Sequence, residues 1–241
     1  MLVVGGTADQ KVAIITGASQ GIGAGLVSAY RGLGYAVVAN ALSIAPSEDP
    51  DTVTIAGDVA DPSTARRAVS VAVERFGRVD TLVNDAGVYI GKPFTDYTTD
   101  DFDALTAVNL AGFFHMTART IEQMLNQGSG HVVNFSTTLV ESADSGRPAA
   151  LSVLTKGGLV AATRSLAIEY GRRGIRINAV SLGVIKTPAH AEESYVGMGE
   201  LHPLGRVGEI RDVVEGVLYL ELAPFVTGEI LHIDGGQSAG H

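Results

Sequence analysis

The chain contains no cysteine among its 241 residues. Disulfides, cysteine catalysis and thiolate metal sites are therefore excluded, while the redox compartment is left open. No run of basic residues is present either, and 17 Lys and Arg stand against 26 Asp and Glu for a net charge of −9. That balance disfavours nucleic acid or an anionic membrane as a partner. The six histidines show no His-x-x-x-His spacing with acids around them, so no metal is expected. Met1 to Gly6 is apolar but short and lacks a basic flank, which argues against a signal peptide. Val12 to Tyr30 runs 19 residues without a charge, but its glycines, Ser19 and Gln20 interrupt the apolar pattern, and a strand–turn–helix explains it better than a membrane span. A cytoplasmic protein is the default expectation.

What is present begins with Lys11 to Gly34. The β-branched run Val12 to Thr16 has the composition of a strand buried on both faces. Gly17, Gly21 and Gly23 follow it at once, and Ala24 to Leu33 then has helical character. A glycine turn between strand and helix lets backbone N–H groups approach an anion at the positive end of the helix dipole. Gly17, Ser19, Gln20, Gly21, Ile22 and Gly23 are thus candidates to hold the phosphates of a dinucleotide.

Further along, Tyr35–Asn40, Thr52–Ala56, Val79–Val83, Gly130–Ser136, Ile175–Ser181 and Gly228–Ile233 read as strands. Helical segments alternate with them. One opens with Asp61 as N-cap and Pro62 in the first turn and stops at Gly77. A long one reaches from Thr99 to about Asn126, and others cover Ala149–Arg172 and Gly208–Leu222. Thr137–Pro148 and Leu182–Leu204 read as irregular. Strict alternation without a linker predicts one domain over residues 1–241. It is an α/β, doubly wound parallel sheet of about seven strands, with helices on both faces. A ligand should lie at the carboxyl ends of the strands, where Gly17–Gly23, Asp58, Asn84–Gly87, Ser136 and Ser181–Thr187 gather.

These strand-end residues resemble the short-chain dehydrogenase/reductase family. Thr16-Gly-Ala-Ser-Gln-Gly-Ile-Gly23 matches its glycine turn, Gly57-Asp58-Val59 its adenine-contacting segment, and Asn84-Asp85-Ala86-Gly87 its Asn-Asn-Ala-Gly, with Asp in second place. Asn109 in Val-Asn-Leu matches the catalytic asparagine, Gly174–Val180 the sixth strand, and Asp234-Gly-Gly236 the C-terminal signature. The resemblance runs from about Lys11 to Gly236. It implies a single Rossmann domain, a nicotinamide cofactor, a small carbonyl or alcohol substrate, and a homo-oligomer, dimer or tetramer, built partly on the fourth and fifth helices. It also implies cofactor contacts from Asp58, Val59, Asn84, Ala86, Gly87, Lys156, Gly183, Ile185 and Thr187, and a substrate loop at about 182–204.

The family's active site joins a serine to Tyr-x-x-x-Lys. Residues four apart share a helical face, so the lysine ammonium can lower the phenol's pKa from about 10. The phenol then exchanges a proton with the substrate oxygen while hydride moves. Lys156 is present here, but Ser152 stands four residues before it, and no tyrosine lies between Tyr97 and Tyr170. The candidate catalytic set is therefore Asn109, Thr137 (in the position of the family serine, with Ser136 and Thr138 beside it), Ser152 and Lys156. His190 and Tyr195 of the substrate loop are possible replacement proton donors.

An acid about twenty residues after the glycines selects NAD and a base selects NADP. Asn40 and Ser43, at the end of the second strand, are neither. With no carboxylate to repel a 2′-phosphate there, NAD(P) is expected with a slight lean to NADP, although Glu48 and Asp49 could fold back and reverse it. Two functions are foremost for these residues: an NAD(P)-dependent oxidoreductase, or a dinucleotide-binding protein without redox turnover that serves as a partner subunit or cofactor-responsive module; a non-redox lyase or isomerase on the same scaffold is a third, weaker reading.

Overall fold

A computed structural model describes residues 10–188 and 195–240. Strands β1 (Val12–Ile15), β2 (Ala36–Ala41), β3 (Thr52–Ala56), β4 (Thr81–Asn84), β5 (Gly130–Thr137) and β6 (Ile175–Leu182) alternate with helices. The helices are α1 (Gly21–Gly32), α2 (Pro62–Phe76), α3 (Thr99–Thr106), α4 (Phe113–Gln127), α5 (Ala150–Tyr170) and α6 (Ile210–Leu222). Two short strands, β7 (Ile185–Lys186) and β8 (Gly208–Glu209), pair only with each other, and β9 (Ile230–Ile233) completes the main sheet.

The main sheet is parallel throughout, in the order β3-β2-β1-β4-β5-β6-β9. The chain winds outward from β1 to β3, then returns to place β4 on the other side of β1. This is the doubly wound Rossmann arrangement, and it opens a crevice at the carboxyl ends of β1 and β4. Strands β1, β2 and β4 are buried along their whole length because helices cover both faces. Alternate residues serve opposite layers. Val12 and Ile14 pack with residues of α2 and α4, whereas Ala13 and Ile15 pack with Leu26 and Tyr30 of α1 and Val213 and Val217 of α6.

Local signals account for the helix limits. Asp61 accepts the Ser63 N–H at 2.8 Å, Pro62 occupies the first turn of α2, and Gly77 ends the helix at φ +85°. Thr98 and Asp101 form a reciprocal capping box at α3. The single long helix expected from Thr99 to Asn126 is divided instead. Ala107–Gly112 forms a π-helical turn between α3 and α4. Asn109 explains the division: its side chain binds the Val88 N–H at 2.9 Å, the Val88 carbonyl at 2.9 Å and the Thr155 hydroxyl at 3.0 Å, which draws that turn toward the β4–α3 loop and α5. The first helix also starts earlier than expected, at Gly21. The irregular stretch after β6 holds the unexpected β7–β8 pair.

At the amino ends of the strands lies a saturated polar network. The Glu221 carboxylate accepts hydrogen bonds from the hydroxyls of Tyr30 (3.1 Å), Tyr35 (2.8 Å) and Thr81 (3.0 Å), and from His131 Nδ1 (2.8 Å). Asn178 is oriented by the Glu229 N–H and the Val226 carbonyl, so its amide nitrogen donates to His131 Nε2. His131 is therefore neutral, with its proton on Nδ1, and burial holds its pKa down. Burial alone would raise the pKa of Glu221, but His131, Tyr35 and Thr81 outweigh it and hold the carboxyl at about 2.

Candidate active site

The glycine turn sits at the carboxyl end of β1, in the crevice. Gly17 and Gly21 have φ of +70° and +59°, a conformation costly for any side chain bearing a Cβ. A Cβ on Gly23 would lie 2.4 Å from the Gly17 carbonyl oxygen, so the turn closes only around glycine. Helix α1 has no side-chain cap at Gln20 and no acid in its first turn, which leaves the Gly21 and Ile22 N–H groups available to an anion, while that of Gly23 faces Asp85. Ser19 and Gln20 are exposed on the turn, while Ile22 is half-buried and packs onto the α1–α6 side of the core. Thr187 lies over the turn, its side chain 3.7 Å from where a Cβ on Gly21 would be. This concave, uncapped and side-chain-free surface fits the pyrophosphate of a dinucleotide.

The β4 edge faces it. Thr16 Oγ1 accepts the Ala86 N–H at 3.0 Å and so ties the β4 loop to the glycine turn. Asp85 is half-buried beside that turn, with Oδ2 3.0 Å from the place a Gly17 Cβ would take. Burial pushes its pKa up to about 7, opposed by the Lys156 ammonium and the Gly23 N–H. Gly87 is the floor on which Lys156 rests, since a Cβ there would stand 2.8 Å from Nζ. Lys156 Nζ donates to the Phe135 carbonyl at 3.0 Å; burial lowers its pKa and Asp85 opposes that.

The other cofactor candidates differ in what their side chains meet. Asn40 is fully buried, and its amide nitrogen donates to the carbonyls of Ile55 (3.0 Å) and Gly57 (3.1 Å), so it joins β2 to β3. Asn84 is buried and donates to Thr117 and Asn134, both at 2.9 Å. Ser43 and Asp58 are exposed, with Asp58 Oδ1 accepting the Ala60 N–H at 2.9 Å. Val59 is buried against Gly112. Asp49 does not fold back toward Asn40; it pairs with Arg31 at 2.6 Å.

Around Lys156 the hydroxyls sort themselves by environment. Ser152 is fully buried; its Oγ donates to the Ile90 carbonyl at 2.8 Å and accepts the Ile90 N–H at 2.9 Å. Its one donor is thus spent on the backbone, and one of its two acceptor lone pairs as well, so giving a proton to a substrate would require breaking the bond to Ile90. Ser136 Oγ donates to the Lys156 carbonyl (3.3 Å) and Thr138 to the Leu182 carbonyl (2.8 Å), each from a buried position. Thr137, between them, is half-buried on the wall of a cavity of about 530 Å³. Tyr89, Gly183, Ile185, Tyr195 and Gln237 share that wall. Gly183 permits the close approach of His202, whose Nε2 accepts the Val184 N–H at 3.1 Å. His202 is therefore a brace for this loop. The Tyr195 hydroxyl binds both the N–H (3.0 Å) and the carbonyl (3.2 Å) of Thr187. His190 lies outside the described residues.

Asp85, Tyr89 and Arg147 border the site and were not among the sequence candidates. The exchange of Asn for Asp at 85 was the one signal available for them. Among the described residues no three His, Asp or Glu side chains group as a metal site would need, and no helix is long and apolar enough to cross a membrane.

Comparison with known proteins agrees with this geometry. Residues 17–238 match the family described as enoyl-(acyl carrier protein) reductase. A Streptomyces violaceoruber protein whose name places it as a ketoacyl reductase of granaticin polyketide synthase is 36% identical, across 95% of this chain and 96% of its own. The 3-oxoacyl-[acyl-carrier-protein] reductase FabG of Staphylococcus aureus is 31% identical over 94% of this chain and 98% of its own. Among solved structures, ElxO with NADP bound superposes with a TM-score of 0.89 at 28% identity, covering 96% of this chain and all of that one. The 3-ketoacyl-(acyl-carrier-protein) reductase of Brucella melitensis, complexed with NADH, gives 0.87 at 28% identity, with the same coverage.

Proposed function

This chain belongs to the short-chain dehydrogenase/reductase family and is an NAD(P)-dependent oxidoreductase, and from that premise we propose that it interconverts a small carbonyl compound and its alcohol in the cavity beside Thr137. The bound dinucleotide supplies or accepts the hydride. Gly17–Gly23 and the first turn of α1 hold its phosphates, Asp58 and Val59 border its adenine, and Ile185 and Thr187 border its nicotinamide end. Thr137 donates a hydrogen bond to the substrate oxygen, taking the part of the family serine.

Position 152 carries no acid, so the proton follows another route. The Lys156 ammonium is made more acidic by burial, and it passes a proton to the substrate oxygen through water, with Asn109 fixing the local backbone. The single observation that carries this reading is the approach of Lys156 over Gly87 beside an uncapped glycine cradle. NADP is favoured over NAD because neither Asn40 nor Ser43 places a carboxylate where a 2′-phosphate would lie. Exposed Phe114 and Ile168, on α4 and α5, support self-association across those helices, and the protein is expected in the cytoplasm.

The test is a fluorescence titration with NADH and NADPH, followed by absorbance assays against ketones, aldehydes and alcohols in both directions. Binding of at least one dinucleotide, with turnover of at least one carbonyl, is expected. Failure of every dinucleotide to bind would remove the proposal; binding without turnover of any substrate would remove its catalytic half.

A further inference from the structure

The cavity beside Thr137 has a lining that restricts what enters it. Its volume of about 530 Å³ suits a small molecule, and among the described residues its wall is neutral except at one position, Arg147. Arg147 lies in the β5–α5 loop, with about a quarter of its side chain exposed (27%). Its backbone N–H donates to the Asp144 carbonyl at 3.1 Å, and the Asp144 carboxylate accepts the Gly146 N–H at 2.8 Å. That turn leaves the other carboxylate oxygen 3.9 Å from Arg147 Nε, a long ion pair without a hydrogen bond.

Arg147 differs in this from the protein's other half-buried arginines. Arg31, Arg78, Arg119 and Arg176 each donate at least one side-chain hydrogen bond to a carboxylate or carbonyl. No described residue accepts one from the Arg147 guanidinium, which has five N–H donors in a fixed planar fork. Such a group, partly withdrawn from water, gains most from a carboxylate or phosphate that accepts two parallel hydrogen bonds. Its charge is felt inside the cavity: burial raises the Tyr89 phenol pKa, and Arg147 opposes that rise.

We propose that Arg147 is a specificity-determining residue that pairs with an anionic group of the substrate, so that the substrate class is a carbonyl compound bearing a carboxylate or phosphate. The carbonyl faces Thr137 and the anion faces Arg147, which fixes the orientation of the molecule in the cavity. The inference rests on the reading of this cavity as the carbonyl site.

Calorimetry on the full chain, with and without NADP, tests it through matched probes. Levulinate is compared with methyl levulinate, and dihydroxyacetone phosphate with dihydroxyacetone; the two pairs separate carboxylate from phosphate. The wild type should bind at least one anionic probe about tenfold or more tightly than its neutral partner. Arg147→Ala should abolish that preference and Arg147→Lys should retain part of it, with NADPH affinity unchanged in both variants. Equal binding within each pair, a preference that survives in Arg147→Ala, or no binding of either anion up to about 10 mM would overturn the proposal. NADPH binding without an anion preference defeats this inference alone. An anion preference in a protein that binds no dinucleotide defeats the oxidoreductase cavity reading instead.

Discussion

The two ends of the parallel sheet treat polar groups in opposite ways. At the amino ends, Glu221 collects four hydrogen bonds from Tyr30, Tyr35, Thr81 and His131, and every partner serves the protein itself. At the carboxyl ends, Lys156 makes one hydrogen bond among the described residues, of 3.0 Å to a backbone carbonyl, beside a helix start without a side-chain cap at Gln20 and a half-buried carboxylate at a glycine turn. A network satisfied internally contributes to stability and specifies one packing. A set of groups satisfied only in part is where a ligand completes the bonding. The same scaffold thus separates folding from function along the strand axis.

Breaking each end should produce different losses. The largest expected effect is on turnover at the carboxyl end: Lys156→Ala should lower kcat by roughly 10²- to 10⁴-fold, the range for an acid–base group, while the melting temperature changes little. Steady-state kinetics beside thermal unfolding would check both halves. At the other end, Glu221→Ala should cost about 1–3 kcal/mol of stability for each buried donor it leaves without an acceptor. Chemical denaturation would measure this, and dinucleotide affinity of the folded fraction should be unchanged.

The pH responses separate the ends as well. The pKa of Glu221 is depressed to about 2 in the fold, so its contribution is present above the unfolded value near 4.5 and is lost as pH falls from there toward 2. The lowered pKa of His131 acts in the same direction, since the unfolded chain takes up a proton below about 6.5 that the fold resists. Stability should therefore fall on acidification from about pH 6.5, in a denaturation series that Glu221→Gln flattens at its acid end. At the carboxyl end, Asp85 faces the Lys156 ammonium and the amides of the glycine turn, and its pKa near 7 makes it ionise across neutrality. A bound pyrophosphate disfavours that ionisation, so dinucleotide affinity should weaken as pH rises above 7. A shift of one pKa unit corresponds to about tenfold; Asp85→Asn should remove most of this dependence in a titration from pH 6 to 8.5.

The smallest effect sharpens the contrast within the site. Ser152→Ala removes a hydroxyl whose two hydrogen bonds both go to Ile90, and should cost about 1–3 kcal/mol of stability with kcat reduced far less than in Lys156→Ala. A loss of turnover as large as that of Lys156→Ala would return Ser152 to the chemistry.

The sequence was most legible where a local rule acts alone. A β-branched run buried on both faces marked β1, and Asp61-Pro62 with Gly77 marked both ends of α2. The glycine turn was legible for the same reason, since each of its three glycines answers a backbone or packing demand. Asn40 and Asn84 were less so: an amide at a strand end can face a ligand or a neighbouring strand, and only the register of β2 on β3 and β4 on β5 decides for the strands. The π-helical turn at Asn109 was hidden because it depends on partners at Val88 and Thr155, far away in the chain. Ser152 was legible as a departure, but its commitment to Ile90 was not. Arg147 carried no signal at all, since its lack of a hydrogen-bond acceptor among the described residues becomes visible only once Asp144 is seen to be turned toward Gly146.

The central claim is that the carboxyl end is a working hydride-transfer site despite a serine in place of the tyrosine. Incubation of the wild type with NADPH deuterated at C4 of the nicotinamide and a panel of oxo-acids, followed by mass spectrometry of the alcohols, tests it directly. Deuterium on the new carbinol carbon, absent with Lys156→Ala, is the result this account predicts. NADPH bound at the cradle with no label in any alcohol would contradict it.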